Sequence, residues 1–172
     1  NTFADYIGAS SCDAGLKIYR EDYIDELYDV FSAALANDPD IRLSLIIEPD
    51  SLPNLATNAD AGTKCGATAT AESYKQGVAY AVGKFDQLNT DAEEKRVFQY
   101  LDAAHGGWLG WAKGLTTFAT MVNGLTTPAG QKVVKLLRGF AINVSNYNSD
   151  ESIADEQGLI EQRNCAPGSL DQ

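Results

Sequence analysis

Three short apolar runs constrain this chain more than any other feature: Leu43 to Ile47, Val97 to Leu101 and Gly139 to Val144. Each reads as a buried strand, and segments of helix length separate them. Tyr23, Leu27, Val30, Phe31 and Ala34 share one helical face. So do Tyr74, Val78, Ala81, Val82 and Phe85, and a shorter stripe holds Leu115, Phe118, Ala119 and Val122. Val133, Val134 and Leu137 form a fourth candidate helix after the break at Pro128-Ala129-Gly130. Continuous apolar strands alternating with helices imply βαβ units, hence an α/β fold with a parallel sheet.

Composition narrows the partners. The 172 residues suit one domain with its own core, and 44% hydrophobic content argues against disorder. No apolar run is long enough to cross a membrane. Asn1 to Tyr6 has neither a basic start nor an apolar stretch, so the chain reads as a processed or trimmed form. The net charge of −11, from 24 acids against 13 bases, repels phosphate backbones and anionic membranes. Nucleic acid and membrane are therefore poor partners, whereas a neutral ligand tolerates this field. The three cysteines show no CxxC spacing and there is one histidine, so no metal site or cofactor is expected.

Each candidate strand runs into polar or aromatic residues. The first ends in Glu48-Pro49-Asp50, with Pro53 close behind. The second continues as VFQYLDAAHGGWLGW, with Asp102, His105, Trp108 and Trp111. The third, RGFAINVSNYN, ends in Asn143, Asn146 and Tyr147. Parallel α/β proteins bind ligands at the carboxyl ends of their strands, so these groups are aimed at one edge. Indoles stack on the apolar faces of sugar rings, and amides and carboxylates bind hydroxyls. A desolvated carboxylic acid can protonate a glycosidic oxygen. Taken singly, each residue has a plainer reading. An acid after a strand is most often a helix N-cap, a histidine most often structural, a tryptophan most often core. Gly106, Gly107 and Gly110 favour an exposed loop around the indoles.

Together the segments resemble glycoside hydrolase family 6, the cellobiohydrolases and endoglucanases, and are closest to its fungal cellobiohydrolase-like branch. The resemblance is carried by EPDSLPNLATN (Glu48 to Asn58), YLDAAHGGWLGW (Tyr100 to Trp111) and RGFAINVSNYN (Arg138 to Asn148), in that order. SYKQGVAYAV resembles the helix between the first two motifs. The resemblance implies a distorted α/β barrel that hydrolyses β-1,4-glucan with inversion. It implies that Asp50 is the general acid, on a loop held by Pro49 and Pro53, with Glu48 as a supporting residue. It places Asp102 near the reacting sugar and His105, Trp108 and Trp111 on the leaving-group side of the cleft. Asn58, Asn143 and Asn146 fall in the site or its supporting shell. It also implies a disulfide between Cys12 and Cys65, and with it secretion.

The resemblance covers roughly Asp22 to Asn148; residues 1–148 read as a partial catalytic domain, and residues 149–172 as an acidic, loop-rich tail. No residue after Asn148 matches the family's later strands or its base-bearing loop, and Cys165 is left over. The segment from Cys12 to Tyr23 reads as a shortened loop in which Asp13 could stand in for the aspartate that tunes the acid. Two functions follow. One is hydrolysis of cellulose-type glucan, here or in a longer parent protein. The other is a non-catalytic module that binds glucan or cello-oligosaccharide, or assembles with other chains.

Overall fold

Among the described residues the fold begins on a helix, not on the loop expected from Cys12 to Tyr23. The structure is a computed structural model and describes residues 12–58, 67–89 and 94–144. Helix α1 (Cys12–Ile18) passes into a π-helical stretch, Tyr19–Ile24, and then into α2 (Asp25–Asn37). A π turn takes more residues than an α turn, so positions five apart share a face. Tyr19 and Ile24 are five apart and both are buried. That wide turn hid the segment from a search for 3.6-residue periodicity, and Tyr23 lies in it and outside α2.

Strand β1 (Leu43–Ile47) leads to α3 (Ser51–Asn58) and the long helix α4 (Ala67–Asp86). Strand β2 (Val97–Asp102) leads to the short α5 (Gly106–Leu109) and to α6 (Ala112–Gly124), and β3 (Gly139–Ala141) follows. The strands form one parallel sheet in the order β1-β2-β3, with Leu43 opposite Val97, Ile47 opposite Leu101 and Asp102 opposite Ala141. The α/β class with parallel strands alternating with helices is therefore present.

Helix α4 supplies much of the core. Tyr74, Val78, Ala81, Val82 and Phe85 are all buried, as their spacing predicts. The buried Gln99 side chain donates through Nε2 to the Val82 carbonyl at 3.1 Å, tying β2 to this helix. Gly83 meets the turn after α6, where an added Cβ would come within 3.0 Å of the Thr127 Cβ. A larger residue would push helix and turn apart.

Several expectations need correction. The strands are not uniformly buried: Leu45, Ile47, Gln99 and Leu101 are buried or packed on the core, but Ser44 and Ile46 are exposed and Phe98 and Tyr100 half-buried. One face of the sheet carries the core among the described residues. β3 ends at Ala141, short of Val144, because Asn143 turns into the left-handed region at φ 59°, although its N–H still donates to the Ala104 carbonyl beyond the end of β2. Val133 to Leu137 forms only a 3₁₀ turn, Val133–Lys135. There the Val133 N–H donates to the Leu125 carbonyl at 3.2 Å and Thr126 bridges Lys132, which leaves no length for a helix before β3. Val30, Leu115 and Ala119 are exposed on their helices, not in the core. The tail, residues 149–172, lies outside the described residues.

The amino end of β2 is closed by polar bonds. Asn89 Oδ1 accepts from the Arg96 and Val97 N–H groups, and its Nδ2 donates to the Val97 carbonyl. The Arg96 guanidinium donates to the carbonyls of Leu35 and Asp38, satisfying the last turn of α2. Core and surface should respond differently to truncation. Leu101→Ala should cost about 2–5 kcal/mol by urea unfolding, since Leu101 is fully buried between strand and helices. Val30→Ala, at a position 62% exposed, should stay within about 0.5 kcal/mol.

Candidate active site

The backbone marks the site before any side chain does. Among the described residues, four that are not glycine have positive φ: Glu48 at 44°, Asp50 at 66°, Ala104 at 50° and Asn143 at 59°. All four lie just beyond the carboxyl end of a strand. The left-handed conformation costs an ordinary L-residue about 1–2 kcal/mol. Such strain persists only where surrounding bonds over-determine it, and it gathers at working sites.

After β1, Glu48 and Asp50 bracket Pro49, whose ring fixes φ and leaves few ways to make the turn. The Ser51 N–H donates to the Glu48 carbonyl at 3.1 Å, and the Asn54 N–H to the Asp50 carbonyl at 3.0 Å. The chain thus enters α3 at once, so the expected loop held by Pro49 and Pro53 is a tight turn followed by a helix. Pro53 sits in the first helical turn, where a missing N–H costs nothing. Asp50 engages the helix start through its carbonyl. Its carboxylate Oδ1 is buried and accepts no hydrogen bond among the described residues. That weighs against the plain N-cap reading, in which the side chain would take up a helix N–H.

Asp102 is the last residue of β2 and is fully buried. Its Oδ2 accepts the Asp50 N–H at 2.8 Å and the Ala104 N–H at 3.3 Å, while Oδ1 has no partner among the described residues. The expected pair of acids therefore does meet at one edge. Burial is the main influence on the Asp102 carboxyl and raises its pKa above the ordinary 3.8. The two N–H groups pull it down, the Asp50 carboxylate pushes it up and His105 pulls it down, with the net direction upward.

Glu48 accepts a hydrogen bond on Oε1 from the Tyr19 hydroxyl at 2.9 Å. Burial, then the Glu48 charge, holds that hydroxyl well above its ordinary pKa of 10.0, so it stays a donor. Sequence reasoning missed Tyr19 because it lies in the π stretch, where no regular period points to it. Asn143 donates its N–H to the Ala104 carbonyl at 2.8 Å, which joins the end of β3 to the turn after β2.

His105 precedes α5 with an extended backbone, and its carbonyl accepts from the Trp108 and Leu109 N–H groups. The expected loop is thus a short helix, because Gly106 and Gly107 let the chain coil directly after the strand. The His105 and Trp108 rings are 6.0 Å apart, and His105 Nδ1 is buried with no partner among the described residues. Trp108 and Trp111 are both half-buried. Trp111 donates through Nε1 to the Gly107 carbonyl at 3.1 Å, and Trp108 packs against the core. Asn58 is the last residue of α3 and its side chain is not described; Asn146, Cys65 and Cys165 lie outside the described residues.

Among the described residues, no three His, Cys, Asp or Glu side chains gather to hold a metal ion. No helix among them is long and apolar enough to cross a membrane. What the edge offers is the Asp102 carboxylate bonded to the Asp50 backbone, the carboxylate of Asp50 itself, an imidazole and two indoles.

The sequence profile of glycosyl hydrolases family 6 matches residues 4–166. The chain belongs to this family. It is 35% identical over 150 residues to 1,4-beta-D-glucan cellobiohydrolase CEL6B of Podospora anserina, covering 85% of this chain and 32% of that protein. It is 37% identical over 140 residues to exoglucanase 3 of Agaricus bisporus, covering 81% of this chain and 28% of that one. Cellobiohydrolase II (Cel6A) of Humicola insolens, solved in complex with glucose and cellotetraose, superposes with a TM-score of 0.62 at 31% identity, over 80% of this chain and 34% of that one. The chain thus spans about a third of the length of these relatives.

In this family 6 chain the buried Asp102 gives stability a definite pH dependence. Its folded pKa is raised, so its contribution is fullest below the ordinary value of 3.8 and is lost as pH rises through the higher folded value. Asp102→Asn removes the titration. The unfolding free energy of wild type relative to that variant should therefore fall as pH rises from 3.8 upward, measured by urea unfolding at a series of pH values. A difference that grows with pH would mean that the two N–H bonds outweigh burial.

Proposed function

We propose that this chain carries the proton-donor side of a β-1,4-glucan hydrolase site, with Asp50 as general acid. The observation that supports it best is the state of the Asp50 carboxyl. It stands at the carboxyl end of the sheet on a strained turn, with Oδ1 buried and given no protein partner among the described residues. The protein thus leaves that oxygen uncommitted to any hydrogen bond of its own among the described residues. Family membership supplies the reaction class, and the relatives named above are cellobiohydrolases and an exoglucanase.

In this reading Asp50 protonates the glycosidic oxygen while water attacks the opposite face of the sugar, giving its proton to a general base that none of the residues named here supplies, and the anomeric centre inverts. Asp102 stands beside the reacting sugar. Trp108 and Trp111 offer apolar faces to glucose rings, His105 lies with them, and Asn58, Asn143 and Asn146 serve hydroxyls or the supporting shell. Glu48, bonded by Tyr19, steadies the start of the acid's turn. The ligand is cellulose-type glucan or a cello-oligosaccharide, and its neutrality suits a chain of net charge −11.

We also propose that Cys12 pairs with Cys65. Cys12 is buried, and its Sγ lies 3.7 Å from Thr70 Oγ1, on a helix that begins just after Cys65. Closing a loop of that length would stabilise the fold by about 4 kcal/mol. Such a bond belongs to an oxidising compartment, and so to a secreted protein.

Asp50→Asn should leave cello-oligosaccharide affinity nearly unchanged and slow hydrolysis by about two to four powers of ten. A substrate with an activated leaving group needs less protonation and should lose less. The 172-residue chain by itself is expected to hydrolyse glucan weakly or not at all, so the comparison belongs in a protein with measurable activity, where equal rates for parent and variant would remove Asp50 from the mechanism. Separately, cello-oligosaccharide at about millimolar concentration should quench the tryptophan fluorescence, and Trp111→Ala should reduce that quenching. An unchanged spectrum would return both indoles to a packing role.

A further inference from the structure

The Asp102 carboxylate makes bonds that sugar chemistry does not require. It binds backbone. Its two donors, the N–H groups of Asp50 and Ala104, belong to two of the four non-glycine residues with positive φ. Ala104 in turn accepts the N–H of a third, Asn143, on its carbonyl. One oxygen at the end of the central strand thus connects the turn after β1 with the turn after β2. Through Ala104 it also reaches the turn after β3.

We infer that Asp102 is a positioning residue whose ionised carboxylate latches the left-handed turns after β1 and β2 and so aims Asp50. The inference rests on the reading of Asp50 as the acid for its functional meaning, though the latch itself does not. A carboxylate is a stronger acceptor than a neutral carboxyl group, and bonds to an ionised partner are about twice as strong. Loss of the charge therefore loosens both N–H bonds while the strain of both turns remains. Nothing in the described protein competes for the carboxylate, because Oδ1 has no partner there.

The groups that bear on this ionisation are few. From the turn after β1 comes the Asp50 carboxylate, which opposes it. From the turn after β2 comes His105, which favours it. Glu48 is engaged by Tyr19, and the β3 side presents Asn143, which carries no charge. Burial sets the direction, so the latch opens at a pH above the ordinary carboxyl value. As pH falls through that point the turn of Asp50 relaxes, and the acid is misdirected even though its own protonation is what catalysis needs.

The test reads the latch directly and needs no turnover. In the ¹⁵N-labelled 172-residue chain, the Asp50 and Ala104 amide protons should lie downfield near neutral pH. Both should move upfield on acidification, with one shared midpoint above 3.8 that matches the Asp102 carboxyl carbon. In Asp102→Asn both amides should lose this titration, and the Asp50 amide should exchange with solvent at least about tenfold faster. The amides of Leu45 and Leu101, inside the sheet, report whether the variant is folded. If it is not, the wild-type titration decides alone. Amides of Asp50 and Ala104 that do not follow the Asp102 carboxyl carbon would overturn the latch, as would the same titration surviving in Asp102→Asn. Normal hydrolysis by Asp50→Asn, with both amides titrating, would instead overturn the acid role and leave the latch standing.

Discussion

Everything at the carboxyl edge of the sheet depends on the parallel pairing of β1 with β2 in a register that sets Ile47 against Leu101. In that register the turn after β1 falls beside the end of β2, and the Asp50 N–H arrives within 2.8 Å of the Asp102 carboxylate. A slip of one residue would turn Leu45 and Ile47 away from the core and Ser44 and Ile46 into it. The register is therefore held by the apolar pattern of β1, and the site is held by the register. Parallel pairing also forces long crossovers, and α3 with α4 and α5 with α6 are those crossovers.

The two ends of the sheet divide the labour. At the amino end, the Asn89 and Arg96 side chains satisfy backbone groups around β2 and the end of α2 with five hydrogen bonds. At the carboxyl end, left-handed turns store strain, and the buried atoms Asp50 Oδ1, Asp102 Oδ1 and His105 Nδ1 lack protein partners among the described residues. Each buried polar atom without a partner costs about 1–3 kcal/mol. The core beneath, with Leu101, Val78, Val82 and Leu52 buried, offsets that cost. Stability is spent at one end of the strands and gathered in the layer behind them, as in proteins that trade some stability for a reactive edge.

Family membership and local geometry answer different questions. The match to glycosyl hydrolases family 6 over residues 4–166 names a reaction class. The geometry says how this chain's own residues could serve it. Tyr19 illustrates the difference: it appears in no motif that carries the resemblance, yet its hydroxyl bonds the first residue of the motif that bears Asp50.

The strands, the α4 stripe and the edge at which Glu48, Asp50 and Asp102 gather were legible in the sequence, because short-range apolar pattern and strand order decide them. Asp50 and Asp102 at the ends of successive strands must share an edge once the strands are parallel. Other features depended on contacts between residues far apart. The π stretch at Tyr19–Ile24 exists because both ends are buried at once, and the helix at Gly106–Leu109 overrides the usual meaning of glycine. β3 is short because Asn143 turns left-handed where its N–H meets the carbonyl of Ala104, a contact that the apolar run of β3 does not record. Nor does any local pattern tell that Asp102 spends one oxygen on the backbone of a turn 52 positions away. Sequence alone determined which residues reach the edge, since that follows from period and order. Only the tertiary structure decided what they bind there, since hydrogen-bond partners across a sheet are set by register and burial, and neither is a property of one stretch of chain.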